Sequence, residues 1–160
     1  MWEKLGLLLL LIAANGAPIL LAWALGPLWD WPLDGGRMHP DGRPLLGGHI
    51  TLRGLAGAVL ATMVLACLLG LGAGLGALIG LLAMVGDALS SFIKRRLGLK
   101  PGDKATGLDQ VPESLLPLLA VAGPFGLGWL DIAPMVAAFT LFDIAISGPL
   151  YRLHLRRRPY

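Results

Sequence analysis

Charged side chains are scarce in this sequence, since they make up 14% of its 160 residues, whereas hydrophobic residues make up 56%. The mean hydropathy is correspondingly high, at +0.72. A typical soluble domain carries roughly a quarter charged residues. The composition therefore excludes an ordinary soluble fold and indicates an integral membrane protein.

Cysteine is nearly absent as well, and the single Cys67 excludes a disulfide framework. His39 and His49 lack the spacing of a metal-binding pair and have no cysteine near them, so a zinc site is not predicted. The sequence also lacks a Gly-x-Ser-x-Gly elbow, a Walker phosphate loop and a Gly-x-Gly-x-x-Gly motif after a strand. These absences leave hydrolase, P-loop and dinucleotide-binding functions without support.

Long uncharged runs are what the sequence has instead, and they predict an all-helical bundle of five membrane spans in one transmembrane domain, residues 1–160. A helix needs about 20 apolar residues to cross a hydrocarbon core of roughly 30 Å. The run 54–86 would be about 50 Å long as one helix, so we expect the glycines between 70 and 76 to divide it. The predicted spans are about 4–25, 54–70, 74–93, 112–128 and 132–153, and the charged loops are 26–53 and 94–111.

The positive charges predict how the chain is oriented. Of its 13 lysines and arginines, only Lys4 lies outside the two loops and the segment that begins at Arg152. Basic residues concentrate on the cytoplasmic side of membrane proteins. We therefore expect a multi-pass protein of the cell's inner (plasma) membrane, with its N-terminus outside and its C-terminus and both loops in the cytoplasm. Because the charges adjoin membrane spans, the net charge of +3 does not indicate a nucleic-acid partner.

The most polar stretch follows the third span, where an acid is succeeded by two serines and then by five cations up to Lys104. In a continuing helix, the acid, the hydroxyls and the first cation recur at i, i+3, i+4 and i+7 and share one face. These residues are Asp87, Ser90, Ser91 and Lys94. A carboxylate with hydroxyls and clustered cations suits a metal ion and phosphate groups.

Each of these features also has a plainer explanation. A basic cluster beside a span commonly serves as a lipid-headgroup anchor and a topology signal. Asp87 either binds a metal or forms a structural pair with Lys94, although a carboxylate at membrane depth is costly and is typical of a functional site. Asp143, midway along the last span, either faces the site or bonds to another helix. Asn15 either directs its amide into the bundle or is a packed polar kink.

Several motifs occur together in this chain: Asp41-Gly42-Arg43, Leu45-Leu46-Gly47, Thr51, Arg53-Gly54, Gly86-Asp87, Ser91-Phe92-Ile93-Lys94-Arg95-Arg96-Leu97-Gly98 and Asp109-Gln110. This combination resembles the CDP-archaeol synthase family, and the resemblance extends from Asn15 to about Gln110. It implies a CTP-dependent cytidylyltransferase, related to the phosphatidate cytidylyltransferases, which forms a CDP-activated lipid and releases pyrophosphate with magnesium. It also implies a bundle of five spans with the site in cytoplasmic loops. Ile50 and Gly48 differ from the family pattern, which often has a lysine and an acid there.

The resulting hypothesis is that a lipid phosphomonoester, archaeol-type or related, attacks the α-phosphorus of CTP. Positioning and charge neutralisation supply most of the catalysis in such transfers. The residues assigned to catalysis are Asp87, Lys94, Arg95 and Arg96, and those assigned to Mg²⁺ are Asp87 and Asp109. Those assigned to substrate binding are Asn15, Asp34, Asp41, Arg43, Arg53, Ser90, Ser91 and Lys100.

A small membrane transporter or scaffold is the main alternative, and its basic loops would only anchor it to lipid headgroups. A CDP-alcohol phosphotransferase has less support. That class of enzyme uses a run of aspartates at helical spacing that begins Asp-Gly-x-x-Ala-Arg, and this run is absent from the sequence.

Overall fold

The computed structural model describes residues 2–103 and 105–155, and within them the chain forms five α-helices. They are α1 (Trp2–Leu25), α2 (Leu52–Leu68), α3 (Ala73–Arg96), α4 (Gln110–Val121) and α5 (Trp129–Arg152). In the described part of the chain, extended backbone pairs only at two isolated bridges, Pro32 with Thr51 and Met38 with Pro44. The prediction of an all-helical membrane protein with five helices is confirmed. Lys104 and the basic tail 156–158, which the charge count included, lie outside the described residues.

Three of the helices, α1, α3 and α5, are long and apolar enough to cross a membrane, with 24 residues each. Helices α2 and α4 are also apolar but contain 17 and 12 residues. At 1.5 Å per residue, α4 rises about 18 Å, which is less than the thickness of the hydrocarbon core. It ends at Val121 rather than near residue 128, because Gly123, Pro124 and Gly126 turn the chain there. Gly126 adopts a φ of +58° in this turn.

Helix α3 packs backbone to backbone against two neighbours. A methyl group at Gly76 would lie 2.3 Å from the carbonyl oxygen of Thr62 in α2. A methyl group at Gly86 would lie 2.4 Å from the carbonyl oxygen of Pro112 in α4. Small residues permit this close approach, which is typical of helix packing in lipid. The contact at Gly86 brings the charged end of α3 beside the first turn of α4.

The bundle is apolar at one end and polar at the other. At the apolar end, side chains from all five helices are fully buried against one another, including Leu7, Leu10, Leu11, Ala66, Ile79, Leu118 and Phe139. At the other end, next to the 26–51 loop, a small apolar cluster around Ile50 and Met84 is accompanied by many buried polar or charged side chains. These include Ser91, Lys94, Arg95, Gln110, Glu113 and Asp143. Buried charges are costly unless they are paired or bind an ion. The polar end is therefore where a functional site is expected.

Candidate active site

A cavity of about 330 Å³ lies at the polar end of the bundle, among α1, α3, α4, α5 and the 26–51 loop. Five carboxylates line it: Asp87, Asp103, Asp109, Glu113 and Asp143. Lys94 and His49 also line its wall. With one lysine against five acids, the wall carries an excess of negative charge. Such a wall favours a cation or a ligand that arrives with one.

Lys94 and Asp109 form an ion pair across the cavity wall, with Nζ and Oδ1 2.5 Å apart. Lys94 comes from the last turn of α3, and Asp109 immediately precedes α4. The other oxygen of Asp109 accepts a hydrogen bond from the Ala105 amide at 2.9 Å. The direct ion pair of Lys94 is therefore with Asp109, while its charge also acts on the carboxylate of Asp87 without a direct contact.

Arg95 is the largest fully buried side chain among the described residues, with 1% of its surface exposed. All three of its guanidinium nitrogens lack a hydrogen-bond partner within the described chain. Its charge interacts with those of Asp103 and Asp109, and a methyl group at Gly47 would lie 3.4 Å from its Nη1. A buried group with unused donors costs free energy unless it binds something. The guanidinium is therefore suited to receive an anion, such as a phosphate group.

His49 connects the 26–51 loop to α3, because its Nε2 lies 3.1 Å from the hydroxyl oxygen of Ser91. The residue as a whole remains exposed to solvent. Desolvation of the ring at the cavity wall, reinforced by the positive charges of Lys94 and Arg95, lowers the pKa of His49 to about 4. The imidazole is therefore uncharged at neutral pH and adds no positive charge to the cavity.

Three residues assigned from the sequence tie the loop to the end of α3. Arg96 contacts the Asp41 carboxylate at 3.0 Å and donates to the carbonyl oxygen of Pro44 at 2.6 Å. Arg43 donates a hydrogen bond to the carbonyl oxygen of Arg96 at 2.6 Å. This bond gives a partner to one of the carbonyl groups that the C-terminal end of α3 leaves without one. Desolvation opposes ionisation of Asp41, but the Arg43 amide and the Arg96 guanidinium together hold the pKa of this carboxyl below its usual range. None of these three lines the cavity, and neither does Arg95. Unlike Arg95, the three make contacts that hold the loop on α3.

Asp34 shapes the part of the loop that approaches Arg95. Its carboxylate accepts hydrogen bonds from the amides of Gly36 and Leu46, both at 2.9 Å. Partial burial opposes ionisation, but these amides outweigh it and lower the pKa of Asp34. The turn they stabilise carries Gly47 past the Arg95 guanidinium. Asp34 therefore supports the site from outside the cavity wall.

The remaining assigned residues divide between the cavity and its surroundings. Arg53 bonds to Asp30 at 2.8 Å and to the carbonyl oxygens of Gly26 and Leu28, away from the cavity. The Ser90 hydroxyl donates to the carbonyl oxygen of Asp87 at 2.9 Å. Lys100 is exposed. The assigned residues that line the cavity are Asn15, Asp87, Lys94 and Asp109.

The wall formed by α4 and α5 contains residues that the sequence analysis did not assign. Asn15 donates to the carboxylate of Glu113 at 3.0 Å, and Gln110 donates to that of Asp143 at 2.9 Å. Asp143 therefore faces the site and also bonds to another helix, so the two alternatives considered for it hold together. A signal for Glu113 was present, because it follows Asp109 by four residues and shares its helical face.

Asp87 and Asp109, the two acids assigned to magnesium from the sequence, both line the cavity, as do Asp103, Glu113 and Asp143. Within the described residues, no group of three or more His, Cys, Asp or Glu side chains is arranged to hold a metal. Magnesium usually needs only one or two protein carboxylates, because waters and substrate phosphates complete its shell. The donor set therefore fits magnesium bound together with a phosphate-bearing substrate.

Known proteins resemble this chain over most of its length. A family model described as "CarS-like: CDP-archaeol synthase" matches residues 69–160. The CDP-archaeol synthase of Hyperthermus butylicus is 40% identical over 143 residues, covering 84% of this chain and 79% of that protein. That of Methanopyrus kandleri is 47% identical over 143 residues, covering 81% and 79%.

A solved structure, described as "Structural insight into an intramembrane enzyme for archaeal membrane lipids biosynthesis", also matches this chain. Its TM-score is 0.73 at 34% identity, with 89% of this chain and 91% of that chain covered. The apolar helices and the charged cavity between them, together with these similarities, define an enzyme that works within a membrane. The chain belongs to the CDP-archaeol synthase family, as its motifs predicted.

Proposed function

We propose that the protein transfers the cytidylyl group of CTP to the phosphate of an archaeol-type membrane lipid. A phosphate oxygen of the lipid attacks the α-phosphorus of CTP, and the bond from that phosphorus to the oxygen bridging to the β-phosphate breaks. The products are a CDP-lipid and pyrophosphate. The names of the relatives support this reaction.

The observation that carries the proposal is the pairing of an acidic cavity with a buried, unsatisfied cation. Arg95 holds three nitrogens without hydrogen-bond partners in the described chain, close to the cavity residues Asp103 and Asp109. A triphosphate that carries a divalent cation is complementary to both the acidic cavity and the buried guanidinium. Its oxygens would accept hydrogen bonds from the guanidinium, and the cation would face the carboxylates.

The chain's own residues would then position and neutralise the reactants. Asp87 and Asp109 would hold magnesium, which when bound neutralises phosphate charge and polarises the phosphoryl group. Lys94, now paired with Asp109, is placed to contact a phosphate oxygen at the cavity wall. Arg95 would supply hydrogen bonds to the same triphosphate, and neutral His49 would add no charge. Electrostatic stabilisation of this kind is usually the largest contribution to catalysis.

The orientation in the plasma membrane belongs to the same proposal. The basic residues at the polar end support a cytoplasmic site, because CTP is a soluble substrate and basic residues concentrate on that side. Tags at the two termini test this orientation in intact cells. An N-terminal tag is expected to be accessible from outside and a C-terminal tag only after permeabilisation. Termini on the same side would contradict five crossings.

The activity is tested with purified protein in detergent, supplied with CTP, magnesium and a panel of archaeol-type, diacyl and prenyl phosphates. We expect CDP-lipid and pyrophosphate in equal amounts, with the archaeol-type lipid among the substrates used. Lys4→Gln is a control variant that should keep the activity, since it removes an exposed charge paired with Asp131 at the opposite end of the bundle. Absence of product with the whole panel would instead favour the transporter or scaffold.

A further inference from the structure

The tryptophans of this chain mark both ends of the bundle. All five have between 61% and 67% of their surface exposed. Trp2 and Trp23 lie at the two ends of α1, about 32 Å apart at 1.5 Å per residue. Trp129 and the exposed Tyr151 lie at the two ends of α5, about 33 Å apart. Because the hydrocarbon core is roughly 30 Å thick and tryptophan and tyrosine concentrate at its two boundaries, these residues indicate where the boundaries lie on the bundle.

The other two tryptophans, Trp29 and Trp31, lie in a segment that follows α1 closely. We call residues 28–31 the Trp loop. Leu28 is exposed together with the two indoles. Leu52 adds to this apolar surface, because it is exposed and its amide donates to the carbonyl oxygen of Trp31 at 3.0 Å. An exposed apolar surface of this kind is typical of contact with a partner or a membrane.

Polar groups in and beside the Trp loop have partners within the protein. Arg53, a buried side chain in the first turn of α2, donates to the carbonyl oxygens of Gly26, at 2.9 Å, and of Leu28. Its other terminal nitrogen lies 2.8 Å from the carboxylate of Asp30, the one charged residue of the Trp loop. A backbone segment that leaves water needs partners of this kind. The Trp loop can therefore enter a less polar environment at a reduced cost in hydrogen bonds.

We propose that the Trp loop anchors the protein in the headgroup and glycerol region of the leaflet at the polar end of the bundle, and that Arg53 holds the loop in the shape this requires. The bilayer is the partner that fits, because the loop continues from α1, a helix long and apolar enough to cross it. Each indole places its ring against the upper part of the lipid chains while its N–H donates to lipid oxygens.

The anchor fixes the depth of the cavity in the membrane. Asn15 lines the cavity and precedes Trp23 in α1, so it lies about 12 Å further into the membrane along the helix. A loop held among the headgroups therefore keeps the cavity at a constant distance below the lipid phosphates. This inference goes beyond the reaction proposed for the cavity, and its tests need neither CTP nor a lipid phosphate substrate.

The first test measures how deep the Trp loop lies in the membrane. In a Cys67→Ser protein, which lacks the single cysteine, Leu28→Cys, Trp29→Cys and Trp31→Cys are made one at a time and spin-labelled. Each variant is reconstituted in liposomes of phosphatidylcholine and phosphatidylglycerol. EPR compares collisions of the label with oxygen, which concentrates in the bilayer, and with a water-soluble nickel chelate. Met38→Cys is the matched control, because Met38 is an exposed apolar residue of the 26–51 loop outside the Trp loop.

We expect the ratio of oxygen to nickel collisions to be several-fold higher at the three Trp-loop positions than at Met38→Cys. Equal ratios at all four positions would place the Trp loop in water and overturn the proposal. Low collision rates with both reagents, or dipolar broadening that dilution with unlabelled protein removes, would show that a second copy covers the loop. That result would overturn the membrane anchor as well.

The second test examines Arg53 in the spin-labelled Leu28→Cys protein. Arg53→Met removes every hydrogen bond from this side chain to the loop, and the collision ratio is expected to fall several-fold, toward that of Met38→Cys. Arg37→Met is the matched control, because it removes an exposed arginine from the 26–51 loop, and it should leave the ratio unchanged. Asp30→Asn breaks only the ion pair, is expected to cause a smaller fall, and serves if Arg53→Met does not fold. An unchanged ratio in these variants would contradict the role given to Arg53.

Discussion

Arg95 and Arg96 are neighbours in the sequence, but their surroundings give them opposite roles. Arg96 bonds to Asp41 and to the carbonyl oxygen of Pro44 through its two terminal nitrogens, and its guanidinium carbon lies 5.0 Å from the centre of the Phe92 ring. Arg95 is buried with its donors unused among the described residues. The sequence analysis assigned both to catalysis, and the contacts of Arg96 are with the loop rather than with the cavity. Adjacent helical residues point about 100° apart, so their neighbours need not be alike.

Replacing Arg95 by methionine therefore separates binding from stability. Because the guanidinium makes no hydrogen bond in the described chain, Arg95→Met leaves no hydrogen-bonding group newly unpaired and is expected to lower the unfolding temperature less than Arg96→Met does. Cytidylyl transfer is expected to fall about 10²-fold or more, the usual effect of losing a donor to developing charge. Arg96→Met is the matched comparison and should lower the unfolding temperature, since it breaks contacts with the loop. A joint loss of stability and activity in Arg95→Met would make Arg95 structural.

Asp87→Asn tests the metal assignment, because it preserves size and removes only the charge. A magnesium ligand cannot be replaced in this way without weakening the binding of the metal. Each 1.36 kcal/mol of lost transition-state stabilisation lowers the rate tenfold. We expect a loss of about 10² or more in cytidylyl transfer, partly relieved by added magnesium, with normal behaviour in size-exclusion chromatography. If the variant keeps most of its activity, Asp109 and the other cavity acids must hold the metal.

His49 predicts a specific pH dependence. Its pKa in the folded protein is about 4, below the 6.5 of an unperturbed histidine, so the unfolded chain binds the proton more readily between these values. The contribution of His49 to stability is therefore complete above pH 6.5 and is lost as the pH falls toward 4. As the pH falls from 6.5 toward 4, the free energy of unfolding of the parent should therefore decrease more than that of His49→Gln. NMR titration should show His49 changing near pH 4, and a midpoint near 6.5 would contradict this account.

At the scale of elements, the sequence determines most of the helices but not how the loop is attached. The ends of α1, α3 and α5 lie within about three residues of those predicted from the uncharged runs. Helix α4 is shorter than the predicted span because the chain turns at 123–126. The residues of this turn are uncharged, so the sequence analysis included them in the span. The loop is held by contacts such as that of Arg43 with Arg96, which are 53 positions apart. Pairings this distant cannot be inferred from local spacing in one sequence.

The close contact between α3 and α4 at Gly86 gives a testable prediction about helix packing. A methyl group at this position would lie 2.4 Å from the Pro112 carbonyl oxygen, so Gly86→Ala must push the two helices apart. We expect a loss of about 1–3 kcal/mol in stability, typical of overpacking. Gly148→Ala in α5 is the matched control, since its added methyl group meets no atom within 4 Å. Thermal unfolding in detergent measures both, and equal stability of the two variants would contradict the packing described.

At the scale of the whole molecule, the apolar and polar ends of the bundle explain how a membrane protein keeps five carboxylates inside. The buried leucines, Ile79 and Phe139 hold the helices together at one end. The acids gather at the other, where the charges of Lys94 and Arg95 offset part of theirs. The sequence predicted Asp87, Lys94, Asp109 and Asn15 as site residues from their cost at membrane depth or from family motifs. The contact between Glu113 and Asn15 could not be predicted without the fold, because the two residues are 98 positions apart.

The measurement that tests the central claim most directly is to follow each phosphorus atom of CTP. The protein is supplied with magnesium, an archaeol-type phosphate and CTP that is radiolabelled either at the α- or at the γ-phosphorus. Cytidylyl transfer predicts that the α-label enters the lipid and the γ-label enters pyrophosphate, with both transfers lost in Asp87→Asn. Entry of the γ-label into the lipid, or no incorporation of the α-label, would contradict the account.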